Sequence, residues 1–113
     1  MGLPFSPGIR LGKLLFLSGQ GPIDGDGRLV EGDIKAQTIL TLQNFKKIVE
    51  AAGSDMDSVL QTTVYLKDLK EFAGMNEAYA RFFSEPRPAR TTVQVADLLL
   101  GMRVEIQGIA HIP

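Results

Sequence analysis

Residues 86–110 read PRPARTTVQVADLLLGMRVEIQGIA, and this stretch predicts two β-strands joined by an apolar loop. Apolar and polar side chains alternate over residues 91–96 and again over residues 103–110, as in half-buried strands. Two prolines precede the first strand, where they fix φ and remove backbone donors, so the lead-in is extended and stiff. We therefore expect Arg90 to stand at the mouth of a strand, with its guanidinium aimed by this lead-in.

Glu105 falls in the second of these strands, on the face opposite Val104 and Ile106. We expect this strand to be the neighbour of the first, so that Glu105 could share the strand mouth with Arg90. The alternative is a surface arginine and a surface glutamate without a joint function. Spacing alone favours this alternative.

Two short strands are predicted earlier, at residues 9–11 and 14–17. The second is apolar at every position, which is typical of a strand buried on both faces. It ends at Ser18 and Gly19, where glycine allows a ligand or another chain to approach the backbone closely.

The first of two amphipathic helices is predicted over residues 33–52, with Asp33 as N-cap and Gly53 as the stop. Its apolar stripe recurs at three- and four-residue spacing and consists of Ile34, Thr38, Leu42, Phe45, Val49 and Ala52. A strand follows at residues 59–67, with one apolar face made of Leu60, Val64 and Leu66.

The second helix is predicted to begin at Asp68, with Glu71 completing a capping box. Its aromatic stripe indicates core packing and consists of Phe72, Met75, Tyr79 and Phe82. Asn76 is a polar residue off this stripe and is a candidate for the site.

The element order predicts one domain over residues 1–113, of the α+β class, with two helices on one face of a mixed sheet. The strand at residues 14–17 is apolar on its second face as well, which the helices do not cover. A large uncovered apolar face is usually an interface, so we expect an oligomer.

The composition excludes several classes of function. Twelve basic and thirteen acidic side chains are interspersed and give a net charge of −1, so we expect no nucleic-acid partner. There is no cysteine and a single histidine, His111 near the C-terminus, which makes a metal site improbable. No apolar run reaches transmembrane length and no signal-peptide pattern is present, so we expect a cytoplasmic protein without a membrane partner.

Several stretches, in this order and spacing, resemble the RidA family of reactive-intermediate imine deaminases, also called YjgF or L-PSP. They are LLFLSGQGPID, AAGSDMDSVLQTTVYLKDL, FAGMNEAYARFF, PARTTVQVADL and RVEIQGIA, and together they cover nearly the whole chain. The resemblance implies a chorismate-mutase-like α+β fold, β-β-α-β-α-β-β. It also implies a homotrimer with ligand sites in clefts between subunits.

The resemblance also implies roles for particular residues. Arg90 would bind the substrate carboxylate and Glu105 would hold the attacking water, as the catalytic pair. The substrate-binding residues that it implies are Phe5, Ser18, Gly19, Asn76 and the backbone of Thr92. The chain departs from the best-known members at Phe5, where they carry a tyrosine, and at Gln107, where they carry a second glutamate.

The function that the resemblance implies is hydrolysis of 2-enamine and 2-imine acids of the 2-aminoacrylate type to 2-keto acids and ammonium, without a metal or organic cofactor. One alternative is a non-catalytic receptor for small keto acids, built on the same Arg90 clamp, and Phe5 in place of a tyrosine keeps it open. Another is an RNA-cleaving translation inhibitor, a role attached to the family's older name. The mildly acidic chain supports that role poorly.

Overall fold

A computed structural model describes residues 2–113, and it has two α-helices packed on one face of a five-stranded mixed sheet. The strands are β1 (Gly8–Leu11), β2 (Leu14–Gln20), β3 (Val59–Leu66), β4 (Ala89–Gln94) and β5 (Val104–His111). The helices are α1 (Ile34–Ala51) and α2 (Phe72–Tyr79). The predicted α+β class and the order β-β-α-β-α-β-β are confirmed.

The strand order in the sheet is β1-β2-β5-β3-β4, with β3 and β4 parallel and every other pair antiparallel. The segment β3–α2–β4 is a crossover unit, and it lays β4 on the outer side of β3. The prediction that Arg90 and Glu105 could stand on neighbouring strands is therefore wrong, because β3 lies between β4 and β5.

Helix α1 begins and ends where its capping residues predict. The Oδ1 atom of Asp33 accepts a hydrogen bond of 2.9 Å from the backbone N–H of Ala36. After the helix, Gly53 adopts a φ of 89°, a left-handed value that glycine reaches without strain. The predicted stripe faces the core: every member is buried except Ala52, which is half-buried.

Helix α2 differs from its prediction at its start. Asp68 caps a short 3₁₀ turn, Leu69–Glu71, and α2 itself begins at Phe72. The predicted capping box is wrong, because Glu71 points away from the cap. Its carboxylate instead accepts hydrogen bonds of 3.1 and 3.0 Å from Nη1 of Arg103.

The core lies between the helices and the covered face of the sheet, where the apolar side chains of β2, β3 and β5 meet those of α1 and α2. One strand face was assigned incorrectly. The register of β3 shifts between Val59 and Gln61, so Leu60 turns outward and is 47 % exposed, while Val59 is buried.

The opposite face of the sheet has no helix over it within residues 2–113. Strand β2 is buried on one face only, whereas its apolar run predicted burial on both: Leu15 and Leu17 are buried, and Leu14 and Phe16 are exposed on the open face. The oligomer that this face led us to expect stays a prediction. No helix in residues 2–113 is long and apolar enough to cross a membrane.

Candidate functional site: two half-sites on opposite faces of the sheet

Arg90 lies within β4, because the strand begins at Ala89 rather than after the arginine. It pairs in register with Thr62 of β3, whose side chain is buried under α2. Side chains at paired positions point to the same face, so Arg90 projects toward α2. The guanidinium is therefore held by the helix as well as by the strand.

The partners of the Arg90 guanidinium are aromatic. Its Cζ lies 4.8 Å from the ring centre of Tyr79 and 5.6 Å from that of Phe72, which are cation–π distances. Its Nη1 lies 3.9 Å from Sδ of Met75. No carboxylate of residues 2–113 forms a salt bridge with it. These side chains of α2 were expected to pack in the core, and the contact of two of the rings with the arginine was not predicted from the sequence.

A hydrogen bond to strand β3 fixes the position of the Tyr79 ring. Its hydroxyl and Oγ1 of Thr62 share a buried hydrogen bond of 2.7 Å. Burial raises the pKa of the Tyr79 hydroxyl, so the ring stays neutral beside the guanidinium.

A cavity of about 330 Å³ opens beside Arg90, and Asn76 and Tyr79 line it. The Oδ1 atom of Asn76 is buried there without a hydrogen-bond partner among the described residues. An unpaired buried acceptor is costly unless a ligand or another chain supplies a donor. We call this cluster, Arg90 with Asn76, Tyr79 and Phe72, the arginine half-site.

Glu105 lies on the other face of the sheet, against the end of β2. Its carboxylate touches Gly19, where a methyl group would overlap Oε2 and would lie 2.8 Å from Cδ. No ion pair to it is found in the described part of the chain, and burial raises the pKa of its carboxyl group above the ordinary 4.5. Glycine at position 19 thus leaves room for an unneutralised carboxylate.

Ser18 holds the N-terminal segment that precedes β1 against this region. Its Oγ donates a hydrogen bond of 2.6 Å to the carbonyl oxygen of Ser6, and its N–H donates one of 2.9 Å to the carbonyl oxygen of Pro7. The only proton of its hydroxyl is therefore used in a structural contact, while the oxygen can still accept a hydrogen bond. This N-terminal segment places Phe5 at the mouth of a cavity of about 500 Å³.

The glutamate half-site is this cavity together with its carboxylate. Phe5, Gly19 and Glu105 all line it, so three of the predicted site residues come together here. Its remaining walls are mostly apolar and come from β2, the following turn, α1 and the loop before β5.

The two half-sites do not meet within one chain. Glu105 pairs with Tyr65 of β3, three residues along from Thr62, which pairs with Arg90. A separation of three residues along the strands and of two inter-strand spacings across the sheet places the Cα atoms of Arg90 and Glu105 about 14 Å apart. Their side chains also point to opposite faces of the sheet.

The two remaining sequence-derived positions fall on different surfaces. Thr92 faces α2 beside Arg90, on a strand whose outer edge has no partner strand in residues 2–113. Gln107 lies on the open face near Glu105, and its Oε1 accepts a hydrogen bond of 3.1 Å from the Tyr65 hydroxyl. An amide at this position can hold the tyrosine without adding a second negative charge to the face.

A further cavity of about 620 Å³ belongs to neither half-site. It has charged walls, but its arginine is neutralised: Arg103 bonds Glu71, and Lys67 lies 4.0 Å from Asp97. Nor do three His, Cys, Asp or Glu side chains come together as metal ligands anywhere in residues 2–113. The unpaired charges of the two half-sites are the better candidates for chemistry.

Residues 2–112 match the endoribonuclease L-PSP family. The chain belongs to this family. A RutC family protein of Pyrococcus horikoshii is 49 % identical over 96 % of the chain and 86 % of its own length. The 2-iminobutanoate/2-iminopropanoate deaminase of Salmonella typhimurium is 42 % identical over 95 % of the chain and 86 % of its own length.

Among solved structures, RidA from the Antarctic bacterium Psychrobacter has a TM-score of 0.92 and 41 % identity, over 96 % of the chain and 89 % of its own. The resemblance to the RidA family that the sequence motifs carry is thus confirmed, and with it the L-PSP fold.

Proposed function

We propose that this L-PSP family chain hydrolyses 2-imino acids, and the 2-enamine acids that tautomerise to them, to 2-keto acids and ammonium. The observation that carries the proposal is a pair of opposite charges without ion-pair partners in residues 2–113, the Arg90 guanidinium and the Glu105 carboxylate. Kinship with a relative named as a 2-iminobutanoate/2-iminopropanoate deaminase supports it.

The site is completed by a second chain. In a 2-imino acid the carboxylate carbon is bonded directly to C2, so the carboxylate clamp and the water-holding group must be a few ångströms apart. Within one chain the Cα atoms of Arg90 and Glu105 are about 14 Å apart, on opposite faces. One small substrate can therefore touch both only where the arginine half-site of one chain meets the glutamate half-site of another.

Arg90 acts as the carboxylate clamp. Its planar guanidinium can donate two parallel charge-assisted hydrogen bonds to a carboxylate, which fixes both position and orientation. The rings of Tyr79 and Phe72 hold the guanidinium in place without neutralising it. Asn76 adds an acceptor beside the clamp, suited to an N–H donor of the substrate.

Glu105 acts as the base. In the imine form, R–C(=NH₂⁺)–COO⁻, the electrophilic atom is C2. Glu105 takes one proton from a water molecule while the water oxygen bonds to C2 and the C=N π electrons move to nitrogen. The result is a carbinolamine with a hydroxyl and an amino group on C2.

The same carboxyl group then acts as the acid. Glu105 returns its proton to the amino nitrogen, and the C–N bond breaks as the hydroxyl oxygen forms the carbonyl and loses its proton to Glu105. A further transfer of this proton to the departing ammonia gives ammonium and the 2-keto acid, so no proton is gained or lost overall. A carboxyl group with a pKa raised by burial suits both directions of transfer better than an ordinary glutamate.

RNA cleavage is the activity in the family's name, and the charge of this chain argues against it. Nucleic-acid binders carry clustered cations, whereas this chain has a net charge of −1 with both signs interspersed. Neither half-site offers a row of cations for a phosphate backbone. We therefore favour a small carboxylic acid as the ligand.

The decisive experiment is complementation between two inactive chains. Arg90→Lys removes the clamp and Glu105→Gln removes the base, so each variant alone should hydrolyse imines made in situ by an amino-acid oxidase very slowly. Co-refolded in equal amounts, the two variants should recover about one quarter of the wild-type rate, because a quarter of randomly formed interfaces pairs two intact half-sites.

Glu50→Gln, on the solvent face of α1, serves as the matched control and should keep the full rate. Normal rates in both single variants would refute imine hydrolysis at these residues. Inactive variants without recovery on mixing would refute a site shared between chains. Keto-acid binding without any turnover by the wild type would favour the receptor function instead.

A further inference from the structure

We propose that the cavity beside Glu105 receives the side chain of the substrate, so that this chain prefers imino acids with branched or aromatic apolar side chains to the one with a methyl group. The inference rests on the proposed imine hydrolysis and adds to it the class of substrate.

Exposed apolar side chains are concentrated at this cavity. Five large hydrophobic side chains of the described residues are at least 62 % exposed, and four of them line it: Leu3, Phe5, Leu99 and Leu100. The fifth, Leu11, lies on the edge strand β1. A cluster of this kind around one opening is typical of a binding site for apolar groups.

The loop before β5 holds its leucines at the rim by an unusual backbone. Leu100 adopts a φ of 59°, in the left-handed region that leucine rarely occupies, and Gly101 follows at 71°. Such a conformation costs free energy, and an exposed leucine does not recover it by burial in this chain. Contact with an apolar ligand gives these two exposed leucines, Leu99 and Leu100, a function at the rim of the cavity.

The floor of the cavity is fixed and apolar. Met102 is buried against Gly21, where a methyl group would lie 2.6 Å from its Sδ, so glycine is what lets the thioether reach this position. Nδ2 of Asn44 donates hydrogen bonds of 2.9 Å to the carbonyl oxygens of Gly21 and Ile23, which secures the turn that forms the wall.

The charge in the cavity decides which side chains fit. Among its lining residues Glu105 alone is charged, so a substrate with an acidic side chain would meet repulsion and no cation. With C2 placed at Glu105, an isobutyl or benzyl group fills space that a methyl group leaves to water. The cavity, at about 500 Å³, has room for either.

The test compares imines generated in situ from alanine, leucine, phenylalanine and glutamate. We expect kcat/KM for the leucine- and phenylalanine-derived imines to exceed that for the alanine-derived imine about ten-fold or more, with the glutamate-derived imine slowest. Leu100→Asn keeps a residue that tolerates the left-handed backbone but removes the apolar rim. This variant should lower several-fold the ratio of kcat/KM for the leucine-derived imine to kcat/KM for the alanine-derived imine.

Leu69→Asn is the matched control, since Leu69 is an exposed leucine outside the cavity. In this variant the ratio of kcat/KM between the leucine- and alanine-derived imines should equal that of the wild type. Equal rates on all imines, or an unchanged ratio in Leu100→Asn, would overturn the side-chain pocket while leaving imine hydrolysis intact.

If no imine is hydrolysed, the proposed function fails, and calorimetry with keto acids then decides the inference separately. Tighter binding of 4-methyl-2-oxopentanoate than of pyruvate sustains the apolar pocket. Equal binding, or none, overturns it.

Discussion

A single methyl group at Gly19 should separate catalysis from folding. In Gly19→Ala the added carbon would lie 2.8 Å from Cδ and 3.0 Å from Cγ of Glu105. Carbon atoms pack at about 3.5–4.0 Å, so the carboxylate carbon must move by about 0.7–1.2 Å. A displacement of about 1 Å in a reacting group can cost about 100-fold in rate, and we expect kcat to fall about ten- to a hundred-fold.

The fold should tolerate the same change. Gly19 is exposed and its backbone is not in the left-handed region, so the free energy of unfolding should change by about 1 kcal/mol or less. The assay is imine hydrolysis and urea unfolding on one preparation. Gly25→Ala is the matched control, because the added methyl group meets nothing within 4 Å, and both quantities should stay at wild-type values.

A double-mutant cycle shows whether the effect passes through Glu105. If Gly19→Ala acts by displacing this carboxylate, it should cost little further activity in a Glu105→Gln background, because the base is already gone. A wild-type rate in Gly19→Ala would refute the reasoning. So would a full additional loss in the Glu105→Gln chain, because the two residues would then act independently.

Three further predictions follow from contacts of the half-sites. Arg90→Lys keeps the charge but loses the planar fork, so kcat/KM should fall about ten- to a hundred-fold with an unchanged melting temperature. Tyr79→Phe removes the hydrogen-bond partner of the buried Thr62 Oγ1 atom but keeps the aromatic ring against Arg90. The free energy of unfolding, measured in urea, should therefore fall by about 1–3 kcal/mol, while kcat is retained. Burial raises the pKa of the Glu105 carboxyl group in the ligand-free chain, so kcat/KM should fall on acidification through a midpoint above 4.5. In that window the folded state binds more protons than the unfolded one, and stability falls as pH rises, so Glu105→Gln should melt higher than the wild type at neutral pH.

The helices were predictable from the sequence because their determinants are local. The stripe of α1 repeats with the helical period, and Asp33 and Gly53 mark its ends through side-chain and backbone properties of their own. The alternation in β5 was readable for the same reason. Strand order was not, because the placement of β4 outside β3 depends on a crossover that no local pattern records.

The sequence motifs name candidate site residues, which stay predictions, but they do not give the arrangement of these residues in space. The resemblance to the family nominates Arg90 and Glu105, whereas their placement on opposite faces follows only from the register of β3. The rings that hold Arg90 were missed because an aromatic stripe on a helix has the same sequence pattern whether it packs a core or a guanidinium. Leu60 was misassigned because a register shift leaves no mark in the alternation.

The separation of the half-sites constrains the assembly that can use them. A two-fold interface pairs one surface patch with itself, and a patch on one face of the sheet contains only one of the two half-sites. A head-to-tail interface joins two different surfaces, so it can bring Arg90 of one chain to Glu105 of the next. Repeated by rotation, such an interface closes into a ring with one site per interface. The homotrimer implied by the family resemblance is a ring of this kind, whereas a two-fold dimer that buries one face of the sheet would give each substrate either the clamp or the base, but not both.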